Sequence, residues 1–145
     1  MFEATQIIPG LYLGNVHDAL NDEQLERHEI TAKVSAAAGV NTQSDSLDYL
    51  QVNMIDIDSF DILADLPTVL AFLHSRLSSK KNVLVHCMHG RSRSVSIVLA
   101  YLMVHADMTL EAAWTHVKRV RPQVRPNEGF MAQLRQLETS KRTNK

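Results

Sequence analysis

The stretch from Asn82 to Met103, NVLVHCMHGRSRSVSIVLAYLM, holds the residues with the most chemistry to offer. Cys87 is the only cysteine of the chain, and five residues separate it from Arg93. A loop of that length, closed by the start of a helix, can curl until its backbone N–H groups converge on one point. The helix then adds its positive N-terminal end. This spacing predicts a cradle for a tetrahedral dianion, and Gly90 supplies the backbone freedom that a tight curl needs. Cys87 is expected to be acidic there, because helix N-termini and nearby cations lower a thiol from about 8.5 to roughly 3.5–7.5. Arg91 and Arg93 are close in sequence, and the planar fork of Arg93 can bind two phosphoryl oxygens as Lys cannot. Ser92 and Ser94 put hydroxyls at the loop exit, where one can hydrogen-bond the sulfur and help it leave. The pattern suits phosphoryl transfer to sulfur.

Two plainer readings compete. A lone cysteine is often just a small buried hydrophobe, and His86, Cys87 and His89 together could ligate a metal. The succession of strand, Cys, Gly-containing loop, Arg, Ser and helix tells against the first. Arg91 and Arg93 would repel a cation, which tells against the second. No metal and no cofactor are expected.

The elements that must position this loop are legible on both sides of it. Asn82 to His86 is a short β-rich run with the look of a buried strand, and Ser94 to His105 is a strongly apolar helix. Upstream, Gln6 to Leu13 reads as a strand and turn around Pro9-Gly10, Val16 to Glu29 as one or two short helices, and Ala32 to Ala38 and Tyr49 to Asn53 as strands. Asp56 to Leu63 reads as a loop. Leu66, Val69, Leu70, Leu73 and Leu77 keep helical spacing, with Asp65 as a cap and Pro67 in the first turn. Thr109 is expected to cap a helix through Val120, stopped by Pro122, and Asn127 a last one with Phe130, Leu134 and Leu137 on one face. Strands alternating with helices predict a single α/β domain over residues 1–140, with a central, mostly parallel sheet of about five strands flanked by helices. The basic residues 141–145 are expected to fray.

The 145 residues suit one domain, with 45% hydrophobic and 21% charged residues, and that size buries roughly 68% of the unfolded surface without disulfides. Net charge is −1 but uneven: from Lys118 onward eight basic residues face two acids, while the earlier part is acidic. A solvated basic face is the plain reading, and attraction of an acidic partner the sharper one. The first residues lack a secretory pattern, and the longest apolar run, Val95 to Val104, is about half of a ~20-residue membrane span. An intracellular protein without a membrane anchor is expected, cytoplasmic with the nucleus open, its oligomeric state unread.

His86-Cys87-Met88-His89-Gly90-Arg91-Ser92-Arg93-Ser94 resembles the signature loop of the cysteine-dependent protein tyrosine phosphatases, in particular the dual-specificity phosphatases with H-C-x-x-G-x-S-R-S. The likeness runs on through Ala100-Tyr101-Leu102-Met103, Glu111-Ala112, Arg121-Pro122, Arg125 to Phe130 and Gln133-Leu134. It begins at Ile8-Pro9-Gly10-Leu11-Tyr12-Leu13-Gly14. It implies that Cys87 is the nucleophile, that Arg93 binds the phosphoryl group, and that Ser94 stabilises the departing thiolate. Met88, His89, Gly90, Arg91, Ser92 and Arg93 would line the substrate. The resemblance also demands a general acid on the loop after the Tyr49–Val52 strand. Asp56 fits the family spacing, Asp58 is the reserve, and Asp61 is read as a cap. Phosphorylated proteins or peptides are the implied partners, and nucleic acid is not expected. His89 departs from the family's usual small residue and resembles the loop of RNA 5′-triphosphatases, although Ser92-Arg93-Ser94 stands where those read Asn-Arg-Thr. Arg91 adds a cation that suits more acidic substrates, phosphoinositides included. A catalytically weak module that binds phosphoproteins is the rival of another class.

Overall fold

A computed structural model describes residues 2–143. In chain order the elements are β1 (Thr5–Ile8), β2 (Leu11–Gly14), α1 (Val16–Ala19), α2 (Asp22–Arg27), β3 (Ile30–Ser35), β4 (Asp48–Gln51), α3 (Leu66–Ser78), β5 (Asn82–His86), α4 (Arg93–His105), α5 (Leu110–Val120) and α6 (Glu128–Thr143). The five strands form one sheet in the order β1-β2-β5-β3-β4. β1 and β2 are an antiparallel hairpin, and every other neighbouring pair is parallel. The expected mixed, mostly parallel α/β sheet is therefore present.

The central strand explains its own composition. Val83 and Val85 belong to the large core with α3, α4, α5 and α6, whereas Leu84 faces a smaller cluster of Ala19, Leu25 and Ile30. All three valine and leucine side chains are fully buried. A strand covered on both faces needs a continuous apolar run, not alternation. α4 crosses the middle of the larger core, with residues 94–103 buried all round, which is why its sequence lacks a polar stripe. α3 keeps the expected stripe of Leu66, Val69, Leu70 and Leu73. Asp65 stands at its N-cap position but makes no side-chain cap bond, since Pro67 removes one of the first-turn N–H donors a cap would serve. Thr109 does cap α5, its Oγ1 accepting from Ala112 N at 3.1 Å. Asn127 Oδ1 accepts from Phe130 N at 2.8 Å at the start of α6.

One position in β3 breaks the pattern. Lys33 pairs in register with Leu84 and is 1% exposed among the apolar residues of the smaller cluster. Its ammonium donates to the carbonyls of Ala19, at 3.0 Å, and Thr42. Burial pushes its pKa down, and Asp22 offsets part of that. The basic end of the chain continues as helix through Thr143, with Lys141 Nζ 3.1 Å from Asp107. Residues 144 and 145 of the expected tail lie outside the described residues. Among the described residues no helix is long and apolar enough to cross a membrane.

Candidate active site

β2, β3, β4 and β5 end together at Gly14, Ser35, Gln51 and His86. Ligands of open α/β sheets bind at these carboxyl ends. β5 delivers Cys87 there, and residues 88–92 curl back to α4. The curl is fixed from outside through its carbonyls. Met88 O accepts from Val16 N at 3.2 Å, Gly90 O from Arg121 Nε at 3.1 Å, and Arg91 O from Arg125 N at 2.7 Å. Tying carbonyls outward leaves the loop's N–H groups to face inward. Gly90 has φ +67°, and a Cβ there would lie 2.6 Å from Arg121 Nη2 and 2.7 Å from the Gly14 carbonyl oxygen. The glycine is needed for both conformation and space.

Cys87 is 2% exposed and is the one free cysteine. Its sulfur lies 3.0 Å from Ser94 Oγ and accepts from Gly90 N at 3.3 Å. Burial pushes the thiol up, but the hydroxyl and backbone N–H of Ser94 and the N–H groups of Gly90 and Arg91 outweigh it, and the net shift is down. The sequence reading assigned this acidity in part to the Arg91 and Arg93 cations. In the fold it is hydrogen-bond donors that lower the thiol, and Arg91 acts through its backbone. Neutral His86 contributes no positive charge either. Burial lowers it from 6.5 to about 4, opposed by a backbone hydrogen bond of Cys87 and helped by a smaller push from Lys33. Its Nε2 sits 2.8 Å from Thr42 Oγ1.

Arg93, the first residue of α4, is fixed by donation from Nη1 to Met54 O at 3.2 Å. The segment from Met54 also carries Asp56, so this bond ties the cation to the segment of the candidate acid. Asp56 Oδ1 accepts from Ser92 Oγ at 2.8 Å and from Asn127 Nδ2 at 2.9 Å, while Ser92 Oγ in turn accepts from Asn127 N at 3.0 Å. Ser92 thus ties the phosphate loop to the acid loop, a role beyond the substrate lining expected of it. Asp58 enters a different contact. Its backbone lies against Gly129 so closely that no Cβ fits there. Asp61 Oδ1 accepts from Leu63 N at 3.0 Å, a local turn bond. It does not cap the following helix as expected, because α3 begins only at Leu66 with Asp65 at its N-cap position. Gln133 adds a clamp, accepting from Ile62 N at 2.7 Å and donating to Phe60 O at 2.7 Å.

The sequence reading gave no role to Arg121, His17 or Asp18, and saw Asn127 only as a cap. Arg121 is 2% exposed and braces Gly90 and the N-terminal segment through Glu3 O and Thr5 Oγ1, both at 2.8 Å. Asp18 is fully buried and accepts from Glu3 N at 2.7 Å and Asn15 N at 2.9 Å. No local signal marks these roles, because the partners lie up to 118 residues apart. Among the described residues no group of three or more His, Cys, Asp or Glu is placed to hold a metal ion.

A buried, acidified cysteine at the end of a central parallel strand, in a loop of inward N–H groups before an arginine, defines the cysteine-dependent phosphatase class. Residues 11–140 match the family described as "Dual specificity phosphatase, catalytic domain", and the chain belongs to that family. It is 35% identical over 134 residues to dual specificity protein phosphatase 22 of Mus musculus, covering 92% of this chain and 73% of that protein. Among solved structures it resembles human DUSP28, with 32% identity, a TM-score of 0.92 and coverage of 96% and 95%. It also resembles a mouse putative dual specificity phosphatase complexed with zinc tungstate, with 32% identity, a TM-score of 0.92 and coverage of 97% and 89%. The chain spans from 20% to 73% of the length of such curated relatives.

Proposed function

We propose that the protein removes phosphoryl groups from phosphotyrosine and from phosphoserine or phosphothreonine in proteins, without a metal, through a cysteinyl-phosphate. In the first step the Cys87 thiolate attacks phosphorus as the bond to the leaving oxygen breaks, and Asp56 gives that oxygen its proton. In the second, water attacks phosphorus, the S–P bond breaks, and Asp56 takes the water's proton. Ser94 Oγ donates to the departing thiolate. The loop N–H groups and the fork of Arg93 hold the three equatorial oxygens throughout.

The observation that carries this reading is the Cys87 environment: a buried sulfur held by Ser94 at 3.0 Å and by Gly90 N at 3.3 Å, with its pKa lowered by them. A thiol that was only filling space would be raised by the same burial. The Asp56 contacts to Ser92 and Asn127 support it over Asp58 as the acid. Phosphorylated proteins or peptides are the proposed partners. A reducing, intracellular compartment suits a site that requires a free thiol.

The test is phenolate release from an aryl phosphate, with chelator present, from pH 5 to 8. Wild type is expected to turn over with a bell-shaped kcat/KM, since Cys87 must be ionised and Asp56 protonated. Absence of turnover at every pH would replace catalysis by phosphoprotein binding as the function.

A further inference from the structure

Lys33 is the one charged side chain that β3 carries into the core, and the mechanism above makes no use of it. It lies in register between Leu84 of β5 and Tyr49 of β4. An aliphatic residue would fill that place without the cost of desolvating an ammonium. What the ammonium adds is a pair of donated hydrogen bonds, to the carbonyls of Ala19 and Thr42. Both residues are buried, and no backbone N–H among the described residues reaches either oxygen.

The two carbonyls lead to opposite sides of Cys87. Ala19 closes α1, whose first residue, Val16, donates its N–H to Met88 O at 3.2 Å. Thr42 places its Oγ1 2.8 Å from His86 Nε2. The Thr42 N–H donates to Tyr49 Oη at 3.1 Å, and that hydroxyl donates to Gln51 Oε1, so the segment between β3 and β4 is fixed from β4 as well. His86 and Met88 are the two neighbours of Cys87 in the chain.

We infer that Lys33 is a positioning residue for the nucleophile. Its ammonium locks α1 to the segment between β3 and β4, and through Met88 and His86 these two hold the phosphate loop on either side of Cys87. The inference rests on the phosphatase reading and adds to it a residue that touches neither substrate nor sulfur. Lys33 works through hydrogen bonds, since the groups that act on the Cys87 thiol are Ser94, Gly90 and Arg91. Loosening either hold shifts N–H groups that must meet the equatorial oxygens of the transition state. Misplacement there costs more than in the ground state, so the loss falls on kcat and not on KM.

Aryl phosphate hydrolysis by the whole chain tests it, with Leu73→Ala of α3 as a core variant that loses buried surface outside this chain of bonds. Lys33→Met keeps the length of the stem and loses the donors. Its kcat should fall about tenfold, with KM within about twofold of wild type. Lys33→Gln retains N–H donors on a shorter stem and should fall between the two. Thr42→Val deletes the hydroxyl and keeps the carbonyl, and should lower kcat about threefold. It should cost less in the Lys33→Met background, because the two residues share one chain of bonds. An unchanged kcat in Lys33→Met, a loss that Leu73→Ala reproduces, or full additivity with Thr42→Val would overturn the assignment. If Lys33→Met does not fold, Lys33→Gln carries the same comparisons. If wild type does not hydrolyse the aryl phosphate, the phosphatase reading has failed, and affinity for orthovanadate, a five-coordinate mimic of the transition state, decides on Lys33. Binding about tenfold weaker in Lys33→Met than in wild type would uphold the assignment, and equal binding would overturn it.

Discussion

The phosphate loop and the acid loop face each other across the site, but they are held in different ways. In the phosphate loop Cys87, Gly90 and Ser94 are buried, and the backbone N–H groups of Val16 and Arg125, with the buried side chain of Arg121, fix its carbonyls. Residues 55–59 of the acid loop are all exposed, and Ile55 and Ile57 stand about half exposed on either side of Asp56. That loop rests on side-chain bonds from Ser92, Asn127 and Gln133, and on the Asp58–Gly129 contact. The difference follows the chemistry. A nucleophile and its anion cradle must be set before substrate arrives, because donors that have to reorganise lose much of their effect. An acid that meets a protruding oxygen can sit on a segment of lower local stability.

This contrast can be broken most severely at its rigid side. Cys87→Ser should lower turnover at least about 10⁴-fold while phosphate still binds, as a competition assay with inorganic phosphate would register. Asp56→Ala should lower kcat by roughly 10²–10⁴ and abolish the basic limb of the pH profile. Asp58→Ala should change little, and the reverse result would move the acid assignment to Asp58. Arg93→Lys keeps the charge but loses the fork, and kcat/KM should fall by about 10²–10³, on the scale of one lost electrostatic stabiliser.

A stability prediction belongs to the same rigid side. His86 titrates at about 4 in the fold against an ordinary 6.5. Between those values the unfolded chain holds a proton that the native chain does not. Its contribution is therefore complete above about pH 6.5 and lost as pH falls to 4, about 3 kcal/mol in all. Urea unfolding of wild type and His86→Asn at pH 7, 5.5 and 4 measures it, and the variant should show the shallower decline.

How far the sequence could be read follows the same division. The phosphate loop was legible because Cys87, Gly90, Arg93 and Ser94 lie within one turn of chain between a strand and a helix whose patterns are plain. The acid was narrowed to three aspartates and no further by residue reading, and spacing in the family singled out Asp56. Asp56 is held by Ser92 and by Asn127, 36 and 71 residues away, and a cap residue gives no hint of a second bond. Lys33 was unreadable for the opposite reason. Its strand looked apolar enough to place, and a buried ammonium satisfied by the Ala19 and Thr42 carbonyls leaves no local mark. Arg121 reads as one more member of the basic C-terminal part, whereas only folding carries it under Gly90.

The most direct test of the central claim is to trap the intermediate. The Asp56→Ala protein, turning over an activated aryl phosphate that needs no acid to leave, should accumulate the covalent species because its hydrolysis lacks a base. Rapid acid quench, digestion and mass spectrometry should find a phosphoryl adduct on the peptide carrying Cys87, and none when Cys87→Ser is added. Turnover with no adduct at Cys87, or an adduct on another residue, would contradict the account.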